Sequence, residues 1–103
     1  MSLAIAVERL YESGWTPTPG RLTQRLDDGR AYPATADIRA EFESAGFRLA
    51  IRYITLFDCH RAEWTSADGR VEGYCVGRTE AEAAVYALAQ LAATRSGLAT
   101  AAS

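Results

Sequence analysis

Arg61-Ala62-Glu63-Trp64-Thr65-Ser66-Ala67-Asp68-Gly69-Arg70-Val71-Glu72-Gly73-Tyr74-Cys75 is the stretch on which the fold turns. Two alternating runs flank Asp68-Gly69, the dipeptide that suits a type I′ turn because both central residues there need φ > 0. A two-residue turn pairs Ala67 with Arg70, Thr65 with Glu72, Trp64 with Gly73 and Glu63 with Tyr74. A four-residue turn would set Glu63 opposite Glu72, and facing like charges destabilise a sheet. Trp64 then shares a face with Val71, Gly73 and Cys75, and its indole lies over the bare Gly73.

Upstream, Phe47 to Phe57 reads as one long strand. Phe47, Leu49, Ile51, Tyr53 and Phe57 share a face; Arg48, Ala50 and Arg52 occupy the other, which turns apolar at Ile54 and Leu56. A two-residue link at Asp58-Cys59 pairs Phe57 with His60. It also places the odd residues of this strand beside Ala62 and Trp64 on a core face. The opposite face then presents Arg48, Arg52, Arg61, Arg70, Glu63, Glu72 and Tyr74, with an apolar corner of Ile54, Leu56 and Val76. A link of odd length would exchange the first strand's faces.

Helices flank the strands. Thr79-Glu80-Ala81-Glu82 is a capping box, and Ala81, Ala84, Val85, Leu88, Leu91 and Ala92 form a small-residue stripe ending near Arg95, with Gly97 as its stop. Before the strands, Thr35 is the predicted N-cap of a helix over Ala36–Ala45, with Ile38, Phe42 and Ala45 on one side and Gly46 as its stop. At the start, Ser2 caps a helix running to Ser13, with Leu3, Val7, Leu10 and Tyr11 in one stripe. Trp15-Thr16-Pro17-Thr18-Pro19-Gly20 cannot continue it. Arg21 to Pro33 reads as irregular, with a turn at Asp27-Asp28-Gly29. The expected class is α+β: a three-stranded antiparallel meander packed with two to three helices, in the order α-α-β-β-β-α.

With 103 residues, 49% hydrophobic and 23% charged, the chain has the make-up of one ordinary domain rather than a disordered or low-complexity segment. The expected domain is 1–97, followed by a flexible tail at 98–103. Apolar runs are too short for a membrane span, and the N-terminus lacks the basic region of a signal peptide. Two Cys cannot form a disulfide framework, so a reducing cytoplasmic setting is expected. The net charge of −2 is not that of a general nucleic-acid binder, although all eleven basic residues are Arg.

Candidate chemistry is sparse. Cys59, His60 and Cys75 are the soft ligands; structural zinc needs four, and no CxxC or HxxxH spacing is present. Adjacent Cys59 and His60 point apart, against a nucleophile pair. Asp27-Asp28 sit in a turn, Glu41 and Glu43 on different sides of a helix, and Glu80 and Glu82 at a helix N-terminus that favours them. No catalytic residue, metal, cofactor or small-molecule substrate is therefore expected.

Two resemblances extend this reading. Tyr32-Pro33, Ala36-Asp37-Ile38, Ala45-Gly46-Phe47-Arg48-Leu49, Trp64 and Arg78-Thr79-Glu80-Ala81-Glu82-Ala83 resemble the pattern of small phage-encoded "ABA sandwich" proteins. That resemblance implies a three-layer sandwich and a phage or prophage origin, with no known activity. Arg61-Ala62-Glu63-Trp64, followed by Gly73-Tyr74-Cys75-Val76-Gly77-Arg78-Thr79, resembles the last strands and helix start of the double-stranded-RNA-binding domain. The family's Lys cluster at that helix start is replaced here by Glu80 and Glu82, which repel phosphates. The expectation is thus a non-catalytic accessory protein acting through protein contact, with itself or another chain, at Ile54, Leu56, Tyr74 and Val76. The alternative is a nucleic-acid-binding module using Arg48, Arg52, Arg61 and Arg70 with Tyr74. The second sheet face is expected to be covered, by the helix Ala36–Ala45 or by a symmetry mate.

Overall fold

A computed structural model describes residues 3–16 and 23–95. The elements run α1 (Leu3–Glu12), β1 (Thr23–Arg25), β2 (Ala31–Pro33), α2 (Thr35–Ser44), β3 (Phe47–Ile54), a 3-10 turn (Thr55–Phe57), β4 (Cys59–Ser66), β5 (Val71–Gly77) and α3 (Glu80–Arg95). The fold is α+β. β3, β4 and β5 form an antiparallel meander, and β1 pairs with β2 in a separate two-stranded hairpin. Ser2, the segment around Pro17-Thr18-Pro19-Gly20, Gly97 and the tail 98–103 lie outside the described residues.

The β1–β2 hairpin corrects the irregular reading of Arg21 to Pro33. Its two strands are three residues each, too short to show alternation, while the turn at Asp27-Asp28-Gly29 was legible. Asp28 accepts from both the amide and the guanidinium of Arg30, which pull its pKa down. Tyr11 of α1 donates to the carbonyl of Ala31 at 2.7 Å and ties this hairpin to the first helix.

α2 begins one residue earlier than expected. Ala34, not Thr35, is the N-cap: its carbonyl accepts from the amide of Ile38, and no side chain caps the helix. α3 has the expected capping box. The amide of Glu82 donates to Thr79 Oγ1 at 3.1 Å, and Glu82 reaches back to the amide of Arg78. Its buried set is wider than the predicted stripe: Glu82, Ala83, Ala84, Val85, Ala87, Leu88, Ala89 and Leu91 are all buried. α3 is therefore the central helix, with α1, α2 and the sheet packed around it. Small Ala side chains let all of them approach closely.

Phe47, Leu49, Ile51, Ala62, Trp64 and Cys75 meet the helices. Leu49 lies opposite Trp64, Ile51 opposite Ala62, and Trp64 opposite Gly73. The ring of Phe42 in α2 sits 5.3 Å from that of Trp64, so α2 lies on the same side of the sheet as α3. All three helices thus share one face, and α2 does not cover the other.

Both turns of the meander differ from expectation. β3 stops at Ile54, paired with Cys59, and Thr55 to Asp58 make the link in place of a two-residue turn. Lengthening the link by an even number of residues preserves which residues share a face, so the expected core face stands. Phe57 leaves that face, however, and is 72% exposed. In the β4–β5 turn only Gly69 has φ > 0; the loop holds three residues, closed by the amide of Ser66 donating to the carbonyl of Arg70. Asp68 accepts from the Ser66 hydroxyl and the Arg70 amide, which stabilise this turn and hold its carboxyl below the usual range. A bulge follows between Trp64 and Thr65, so Thr65 pairs with Val71 rather than Glu72. Val71 consequently turns away from Trp64 and is exposed.

Candidate functional site

The face away from the helices is built in rows by the register. Arg48, Thr65 and Val71 form one row, Ala50, Glu63 and Tyr74 the next, Arg52, Arg61 and Val76 the third, and Ile54 with Cys59 the last. Arg52 and Arg61 sit directly opposite each other, a pairing that repels unless a carboxylate intervenes. Glu63 intervenes. Its two oxygens lie 3.6 Å from Arg52 and 3.2 Å from Arg61. The Arg61 guanidinium also stacks on the Tyr74 ring, 4.2 Å from its centre. Arg48 is exposed on the first row. Arg70 does not join these three: it stands at the β4–β5 turn, where its backbone closes the loop.

The apolar corner is larger than the sequence suggested, and differently made. Val76 is 39% exposed and Tyr74 57%, both on the sheet face. Leu56, expected on that face, instead stands in the 3-10 turn with Phe57, the two being 83% and 72% exposed. Asp58 fixes this turn. It takes the left-handed conformation with φ 48, and its carboxylate accepts from the Tyr53 hydroxyl at 2.6 Å. That bond holds the Tyr53 proton, so its pKa rises. Sequence reasoning placed Phe57 in the core and Tyr53 beside it. The missed signal was Asp58, a residue that tolerates left-handed backbone and so ends a strand early.

Cys59, His60 and Cys75 are not brought together. Cys59 faces outward with Ile54, whereas His60 and Cys75 lie on the helix side, where His60 packs 5.3 Å from the Tyr53 ring. Among the described residues no group of three or more His, Cys, Asp or Glu could hold a metal ion. Cys75 donates to the Ala83 carbonyl at 3.2 Å, and burial pushes its thiol up to about 12. At the far end of the sheet an open groove of about 460 Å³ is lined by Ala45, Phe47, Trp64, Gly73 and Leu91, with Glu72, Gln90 and Thr94 at its polar edge. No helix among the described residues is long and apolar enough to cross a membrane.

Fold and site together define an α+β protein with one sheet face under helices and the other bare among the described residues. No protein-family model, curated protein or solved structure matches the chain.

Proposed function

We propose that this chain is a small non-catalytic accessory protein, cytoplasmic and of the phage or prophage origin that the "ABA sandwich" resemblance implies, acting through protein–protein contact at its bare sheet face. The observation that carries this reading is the pairing of Glu63 with Arg52 and Arg61. A strand of nucleic acid laid on this face would meet a carboxylate at its centre and would have to break those pairs. A protein surface can instead use the apolar side chains and keep the ion pairs at the rim, where interface Arg is enriched. Tyr74, with an apolar ring, a polar tip and an Arg stacked on it, is the type of residue that anchors such contacts.

The test places a photo-reactive p-benzoylphenylalanine at Tyr74 in the full chain and irradiates it in an extract of its own cells. The expected result is a discrete protein adduct that survives nuclease, persists at high salt and is lost when Val76→Glu is added. Labelled single-stranded and double-stranded oligonucleotides are titrated in parallel. Saturable oligonucleotide binding would overturn the reading, provided it weakens with salt by roughly 0.7–0.9 log units per phosphate for each log unit of salt.

A further inference from the structure

We infer that the occupant of this face is a second copy of the chain, seated by two-fold symmetry over the end of the sheet that carries Ile54, Leu56, Phe57, Tyr74 and Val76. The inference rests on the proposed protein-contact function and names its partner. Three observations support it.

The first is area. These residues gather at one end of the sheet: in the register Val76 borders the Ile54–Cys59 row, and Leu56 and Phe57 follow Ile54 along the chain in the exposed turn. Large side chains present about 150–250 Å² each; at the exposures above, the strip offers on the order of 500 Å² of apolar surface, at the upper end for a lone monomer. A standard interface buries about 800 Å² per partner, a little over half of it apolar. The strip therefore supplies roughly the apolar share one side of a stable dimer needs.

The second is charge. A two-fold contact sets like elements in reciprocal positions, so it must be self-complementary. Here Arg52 and Arg61, behind the strip, share Glu63, so the like charges that a two-fold axis would bring together are already paired. A chain charge of −2 adds little long-range repulsion between copies.

The third is the edge. β3 is an edge strand, the other obvious route to self-association. Arg39 of α2 donates to the Leu49 carbonyl near the middle of β3 at 2.9 Å. A long charged side chain held at that point obstructs an incoming strand at β3, so of the sheet's two edges, β3 and β5, this one does not compete with the bare face.

Sedimentation velocity on the full chain, from micromolar to near-millimolar concentration, tests this. The parent is expected to approach twice its 11.2 kDa mass. Leu56→Glu/Phe57→Glu is expected to weaken association at least about ten-fold while keeping the parent's circular dichroism. Because Leu56 and Phe57 stand in a solvent-exposed turn, that variant should fold; Val76→Glu, on another strand, provides an independent second variant. A parent that stays at 11.2 kDa throughout overturns the inference, as do folded variants that dimerise as tightly as the parent. The photo-adduct separates this failure from failure of the wider reading. A heterologous adduct refutes the second copy alone, and no protein adduct refutes both.

Discussion

Cys75 shows how burial sets the chemistry of one side chain. Its sulfur sits between the sheet and α3, its proton is directed to the Ala83 carbonyl, and burial raises its pKa from 9.0 to about 12. The folded state therefore holds this proton more tightly than the unfolded chain does. The stability this contributes is fully present below pH 9 and is lost as pH rises towards 12. The expected outcome is a parent whose urea midpoint falls more steeply above pH 9 than that of Cys75→Ala. Parallel curves for the two proteins would remove the claim. The same burial predicts a poor nucleophile at neutral pH, since the thiolate is the reactive form.

At the scale of the elements, the meander is locked by one aromatic contact. Trp64 of β4 lies over Gly73 of β5, so near that a Cβ there would stand 2.3 Å from a ring carbon. The indole cannot retreat easily, because Phe42 of α2 packs on it. Gly73→Ala is thus expected to destabilise by about 1–3 kcal/mol, the usual cost of overpacking a filled core. Chemical denaturation measures it, and a loss below about 0.5 kcal/mol would show that the ring moves freely. This contact was legible in the sequence, because the register centred on Asp68-Gly69, which keeps Glu63 away from Glu72, sets Trp64 opposite Gly73. The bulge between Trp64 and Thr65 was not. It follows from Asp68 accepting from both Ser66 and Arg70, which favours a three-residue loop over the type I′ turn that Asp-Gly suggests by itself.

At the scale of the whole molecule, the layering is asymmetric: helices on one side of the sheet, a mixed charged and apolar surface on the other. If a second copy covers that surface, unfolding is coupled to dissociation and the melting temperature must rise with protein concentration. We expect such a rise for the parent, and its absence for Leu56→Glu/Phe57→Glu. A parent melting temperature independent of concentration, across a range where sedimentation reports dimer, would mean that unfolded chains associate as tightly as folded ones, and would remove the coupling.

Local sequence rules were enough for the order of the main elements, the capping box at Thr79, the core face of Phe47, Leu49 and Ile51 with Ala62 and Trp64, and the shared outer face of Arg52, Arg61 and Glu63. These rest on local rules: period-two alternation, capping chemistry and the avoidance of facing like charges, each acting within a few residues. The tertiary structure alone decided the rest. Phe57 and Leu56 read as strand residues until Asp58 took the left-handed turn that frees them, and α2 had apolar residues enough for either face of the sheet until Phe42 met Trp64. Which face a helix covers is fixed by where its largest side chain finds a closely packed neighbour, and that neighbour lies twenty-two residues away in the sequence. Periodicity carries no information at that distance.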